Sequence, residues 1–139
     1  MKTIIKSEQD LISYGTEIAK SLKPGDTVEL LGDVGAGKTT LTKGIAKGLN
    51  ITAEITSPSF VISKRYQNSQ GQTLVHYDFY RLGDPGIMAE DLQENLTDKN
   101  TITVIEWANT VENLLPKNRL KITIALNDDG TRTIERTEK

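Results

Sequence analysis

Eight consecutive residues, Gly32-Asp33-Val34-Gly35-Ala36-Gly37-Lys38-Thr39, carry the spacing Gly-x-x-x-x-Gly-Lys-Thr, which suits the phosphates of a nucleotide. The glycines let the backbone curl so that successive N–H groups, those of Asp33, Val34, Gly35, Ala36 and Gly37, point at one anion. A helix starting near Lys38 adds the positive potential of its N-terminus. Lys38 places an ammonium between the β- and γ-phosphates, and the Thr39 hydroxyl can coordinate magnesium, so ATP and magnesium are the expected ligands. Thr40 is either a second polar contact to phosphate or an ordinary first-turn residue.

Two carboxylates stand where they could complete that site. Glu106 closes the run Thr101-Ile102-Thr103-Val104-Ile105, at the end of a strand where open α/β sheets bind ligands. Magnesium prefers oxygen ligands, and an acid there can meet the metal; the alternative is a solvated strand-end glutamate. Many phosphate-loop enzymes have aspartate at this place, and the longer side chain leaves water-mediated metal contact and alignment of an attacking water both open. In His76-Tyr77-Asp78-Phe79-Tyr80-Arg81, period-two alternation sends Tyr77 and Phe79 to one face and His76, Asp78 and Tyr80 to a polar one. Asp78 is then a second acid near magnesium, a base that orients water, or a salt-bridge partner of Arg65 or Arg81. His76 reads as a strand residue with a satisfied ring rather than as a catalyst.

Three further features are open in the same way. Ser57-Pro58-Ser59-Phe60 is either a switch near the γ-phosphate or a plain turn, and Trp107, the only tryptophan, is core packing or a lid beside the nucleotide. Lys43, Lys47, Lys64, Arg65 and Arg81 are either a solvated surface, the commoner case, or a patch for a partner or RNA.

The elements that must position these groups follow from the apolar periodicity. Lys2 to Lys6 is a short strand, Ser7 an N-cap, and Glu8 to Leu22 a helix with Leu11, Ile12, Ile18, Ala19 and Leu22 on one face. The turn Pro24-Gly25-Asp26 leads into the strand Thr27 to Leu31, which feeds the glycine-rich loop. Leu41, Ile45 and Leu49 mark the next helix, ended by Gly48 and Asn50. Phe60 to Tyr66 and Thr73 to Leu82 form a predicted hairpin, Ile87 to Leu96 a helix, and Thr101 to Ile105 a buried central strand. A short helix over Val111 to Leu115 stops at Pro116, and Leu120 to Leu126 with Thr131 to Arg136 close the chain as a hairpin. The fold expected is a three-layer α/β P-loop NTPase fold with a mixed central sheet and added β-hairpins, in a single domain over residues 1–139.

Composition narrows the function class. A formal net charge of -2 on 139 residues argues against a free-standing DNA or RNA binder, and no DNA partner is expected. The absence of cysteine removes disulfides, thiolate metal sites and a thiol nucleophile. The N-terminus lacks the pattern of a signal peptide and no segment has the roughly 20 apolar residues of a membrane span, so a soluble, cytoplasmic protein is expected.

Read in order, Gly32 to Thr42, Ser57-Pro58-Ser59-Phe60, His76-Tyr77-Asp78-Phe79-Tyr80-Arg81-Leu82 and Val104-Ile105-Glu106-Trp107 resemble the bacterial TsaE family; the second pair of blocks makes the likeness specific. The resemblance implies the ATPase of the machinery that makes threonylcarbamoyladenosine next to the anticodon of tRNA. It implies action with TsaD and TsaB, contact with tRNA only through that complex, and transfer chemistry that belongs to TsaD. By position it gives Lys38 and Thr39 to phosphate and magnesium, Glu106 to the magnesium site and Asp78 to the hydrolysis region, and it sets Trp107 near the nucleotide. Arg132, in Gly130-Thr131-Arg132, and Glu8 are implied as further nucleotide contacts. Ser59 stands where the family commonly has threonine, and Gly86 to Asp91 departs from its usual acidic helix start. Two other readings stand beside this one: a small-molecule P-loop kinase, disfavoured by a short chain with no arginine-rich lid, and a nucleotide-dependent assembly module whose hydrolysis is incidental.

Overall fold

The β-branched run that ends in Glu106 lies beside the strand that feeds the glycine loop, and both are sealed from water: Val28, Leu30, Ile102, Val104 and Ile105 are all buried. The structure, a computed structural model, describes residues 2–33, 35–58, 62–80 and 86–137. In chain order its elements are β1 (Lys2–Ile5), α1 (Glu8–Ser21), β2 (Thr27–Leu31), α2 (Lys38–Gly48), β3 (Ser63–Gln67), β4 (Thr73–Asp78), α3 (Ile87–Thr97), β5 (Thr101–Glu106), a 3-10 helix (Ala108–Leu114), β6 (Leu120–Leu126) and β7 (Arg132–Thr137). The strands join in one sheet in the order β1-β7-β6-β2-β5-β4-β3. Its centre, β6-β2-β5-β4, is parallel, and antiparallel hairpins flank it on both sides. This is the mixed α/β sheet expected from the sequence.

Alternation along the central strands feeds two cores. Val28, Leu30, Leu74, Ile102, Val104, Ile122 and Ile124 meet Leu11, Ile18, Leu41 and Ile45 of α1 and α2. Val75, Tyr77 and Ile105 point the other way, to Leu92 of α3 and Val111 of the 3-10 helix. The sheet is therefore the middle of three layers. On the second face a buried carboxylate, Glu29, is matched by Arg119, whose Nε donates to Glu29 Oε1 at 2.7 Å.

Several expectations hold and some are corrected. Ser7 caps α1, its Oγ accepting from Asp10 N at 3.1 Å. The face of α1 holds for Leu11, Ile18 and Ala19, while Ile12 and Leu22 are only half-buried. The strand placed over Phe60 to Tyr66 begins at Ser63, because Ile62 is left-handed at φ 73 and bonds back to the Pro58 carbonyl; Phe60 and Val61 lie outside the described residues. The strand placed over Thr73 to Leu82 stops at Asp78, whose Oδ1 accepts from Tyr80 N at 2.9 Å and turns the chain; Arg81 and Leu82 lie outside the described residues. The short helix placed over Val111 to Leu115 is a 3-10 helix that starts earlier, at Ala108.

What seats α2, and with it the glycine loop, is a backbone contact with α1. A Cβ on Gly44 would lie 2.2 Å from the Ile12 carbonyl oxygen, and one on Gly15 would lie 2.5 Å from that of Leu41. Thr16 adds a hydrogen bond from Oγ1 to the Gly44 carbonyl at 3.3 Å. Helix propensity alone favours alanine over glycine by about 1 kcal/mol. Overpacking a tight contact costs about 1–3 kcal/mol and here meets backbone, which cannot swing aside. Gly44→Ala is therefore expected to lower the thermal midpoint by several degrees in a circular-dichroism melt, against the sign of propensity; an unchanged or higher midpoint would show that the helices can separate.

Candidate functional site

The glycine loop leaves β2 at Leu31 and enters α2 at Lys38, and its curl needs glycine at both ends. Gly32 lies at φ 149 with its missing Cβ only 2.5 Å from the Ile124 carbonyl, and Gly37 lies at φ 115 against Leu11 and Arg132. Within the loop Ala36 N donates to the Asp33 carbonyl at 3.1 Å. Gly35 is exposed at the tip, and Val34 lies outside the described residues. Arg132 reaches across from β7 to donate Nε to the Ala36 carbonyl at 2.7 Å, so its placed contact is a brace on the loop. Glu8, at the first turn of α1, is exposed.

Lys38 is 6% exposed although it carries an ammonium. Its Nζ donates to the Gly32 carbonyl and, at 3.3 Å, to that of Asp33, and it sits 4.1 Å from the centre of a Trp107 ring. Of the alternatives for Trp107, packing is observed: the side chain lies on the second core and also covers the lysine of the glycine loop. Trp107 itself is left-handed, at φ 56, and the ring of Tyr80 lies 4.6 Å away. Burial pulls the Lys38 pKa below 10.5, opposed by the charges of Glu106, Asp78 and Asp33 in that order. The lysine thus lies within electrostatic reach of both candidate acids.

Those acids stand side by side because β4 and β5 are parallel and Asp78 is in register with Glu106. Neither is solvated: Glu106 is 4% and Asp78 5% exposed. The polar face inferred from alternation in β4 is therefore an inward one, since a strand inside the sheet has no solvated side. Asp78 is not placed with Arg65, whose Nη1 donates to Asn95 Oδ1 at 2.8 Å, and Arg81 lies outside the described residues. His76, read from the sequence as a satisfied strand residue, is in direct contact with a candidate acid, its Nε2 2.5 Å from Glu106 Oε2. The signal was present in the shared parity of His76 and Asp78, but using it needs the strand order. Thr39 and Thr40 are half-buried in the first turn of α2. Ser57 precedes Pro58 in an irregular segment, and Ser59 and Phe60 lie outside the described residues.

The groups present fit a phosphate chain with magnesium. The loop offers an ammonium and a helix N-terminus to an anion, and the Thr39 hydroxyl with the Glu106 and Asp78 carboxylates makes an oxygen-only set. Among the described residues no three His, Asp or Glu side chains converge as a metal cage, so a cation would have to share its remaining ligands with phosphate and water. A cleft of about 530 Å³ opens beside the loop, lined by Gly32, Asp33, Ala36 and Thr123 to Leu126 of β6. Another, of about 180 Å³ between Asp26, Thr27, Arg119 and Arg136, lies at the opposite end of the strands. No helix among the described residues is long and apolar enough to cross a membrane.

The chain is similar to known proteins over most of its length. A family model described as "Threonylcarbamoyl adenosine biosynthesis protein TsaE" matches residues 5–134. The chain is 44% identical over 113 residues to the tRNA threonylcarbamoyladenosine biosynthesis protein TsaE of Bacillus subtilis, covering 81% of this chain and 69% of that protein. To the protein of the same name from Treponema pallidum it is 35% identical, covering 96% and 98%. The crystal structure of Bacillus subtilis YdiB superposes with a TM-score of 0.81 at 36% identity, covering 99% of this chain and 84% of that one.

The buried lysine gives a signed expectation. Because burial outweighs the nearby acids, folded Lys38 holds its proton less tightly than an unfolded lysine. In the pH window below 10.5 the unfolded chain binds more protons at this position, so stability contributed there rises with pH. Urea unfolding of the ligand-free protein, followed as pH rises toward 10.5, is expected to show that component in wild type and not in Lys38→Met; equal slopes would mean that the ammonium is not desolvated.

Proposed function

The chain belongs to the TsaE family of tRNA threonylcarbamoyladenosine biosynthesis proteins, and from that premise we propose that it is the magnesium-dependent ATPase of the pathway, working in the cytoplasm with TsaD and TsaB. The observation that carries the ATPase reading is the convergence of Lys38, Glu106 and Asp78 at the mouth of the glycine loop. Contact with tRNA comes through the complex, and the transfer of the threonylcarbamoyl group belongs to TsaD. The chain itself has a near-neutral balance, with a formal net charge of -2, and needs no nucleic-acid surface for this role.

Each side chain has a task in that scheme. The backbone N–H groups of Asp33 to Gly37 and the N-terminus of α2 bind the phosphates. Lys38 gives up its carbonyl partners at Gly32 and Asp33 for the β- and γ-oxygens, a favourable exchange because a charged acceptor bonds an ammonium more strongly than a carbonyl does. Thr39 and Glu106 would hold magnesium, which would supply positive charge to offset that of the phosphates. Asp78, one strand over from Glu106, orients the attacking water and takes its proton. Trp107 covers Lys38 and keeps bulk water off the ammonium. Arg132 acts on the nucleotide through the loop, by fixing the Ala36 carbonyl.

ATP turnover is to be measured for the purified protein with magnesium, alone and with TsaD, TsaB and substrate tRNA. Partners are expected to raise it, and Lys38→Ala to lower it by about 100-fold or more, as for loss of a transition-state charge donor. Turnover indifferent to the partners would separate hydrolysis from the pathway, and turnover indifferent to Lys38 would remove the site from this loop.

A further inference from the structure

His76 is the only histidine in the chain and is fully buried in β4. The parallel register sets His76 opposite Val104 and Asp78 opposite Glu106, so the imidazole reaches diagonally to the Glu106 carboxylate. With Glu106 ionised, as a metal-ligating acid must be, it only accepts, which puts the hydrogen in the 2.5 Å contact on Nε2. The other ring nitrogen, Nδ1, is buried and has no hydrogen-bond partner among the described residues. A position kept only for packing would be better filled by an apolar side chain, because burying an imidazole with one nitrogen unsatisfied is costly. What offsets that cost is the single bond to Glu106.

That bond answers a problem set by the acid itself. Glutamate has one more rotatable bond than aspartate, and its carboxylate at the end of β5 must be held if it is to meet a metal in one geometry. We propose that His76 is a positioning residue for the metal site: by donating Nε2–H to Oε2 of Glu106 it fixes the carboxylate and leaves Oε1 as the oxygen offered to magnesium. The inference rests on the ATPase reading above and adds to it a residue that touches neither nucleotide nor metal. Partners that hydrogen-bond a ligating carboxylate commonly raise metal affinity about 10–100-fold.

Two measurements test it. In the metal-free wild-type protein, NMR of the one imidazole is expected to show a slowly exchanging Nε2–H at low field that is lost in Glu106→Ala. Nucleotide binding is then followed by the emission of Trp107, the only tryptophan, with magnesium and with a chelator. His76→Leu is expected to weaken magnesium-supported binding by about 10–100-fold while leaving binding in chelator unchanged. His76→Gln, whose amide can donate from nearly the same place, is expected to recover most of that loss. Equal loss in both conditions, with no recovery in the glutamine variant, would make His76 a packing residue only and overturn the proposal; an Nε2 without its proton would do the same, even if His76→Leu fails to fold. Lys38→Ala separates the two levels of the argument. If it leaves nucleotide binding intact, the ATPase reading falls and this inference with it; if it abolishes binding while His76→Leu keeps its magnesium dependence, only the inference falls.

Discussion

The candidate site depends above all on one register. Pairing β2, β5 and β4 in parallel brings Leu30, Glu106 and Asp78 to the same level, so the strand that launches the glycine loop ends beside the strand that carries Glu106 and one strand away from the one that carries Asp78. Parallel strands also need crossovers, and the crossovers supply the helices that cover the sheet. The position of Glu106 relative to Lys38 is thus a property of backbone hydrogen bonding. Side chains then refine a geometry that the sheet has already set.

Two buried charges show how the interior accommodates what the site needs. The Lys38 ammonium faces two carbonyls, an aromatic ring and the field of three acids, while Glu29 on the other face of the same strand order is matched by Arg119. Unpaired charges in such places would cost several kcal/mol each. The two differ in their partners. Arg119 is bonded to the Glu29 carboxylate and to the Pro116 carbonyl in a closed arrangement, whereas the hydrogen-bond partners of Lys38 are two neutral carbonyls, weaker acceptors than a charged group.

Much of this was legible in the residues, and the limits have physical causes. The loop, its strand and its helix are local in sequence, so spacing alone placed Gly32 to Thr39 and the run ending in Glu106. The contact between His76 and Glu106 was not legible, because thirty positions separate the two and only the order of the strands joins them. Arg132 was assigned to the nucleotide by resemblance, and its bond to Ala36 spans 96 positions that no local pattern encodes. The strand ends after Pro58 and at Asp78 were missed for another reason. Each is set by a single backbone feature, the left-handed Ile62 and the turn held by the Asp78 carboxylate, and neither changes the apolar alternation that the eye follows.

The sheet order also has a temporal meaning. β1 pairs with β7, so the first strand of the fold to be synthesised has its partner in the last. Throughout translation β1 is an open edge, and β2 waits for β6 on one side and β5 on the other. The brace from Arg132 arrives with β7 as well. A nascent chain on the ribosome therefore carries its complete glycine-loop sequence long before the strands and the arginine that seat the loop have been made.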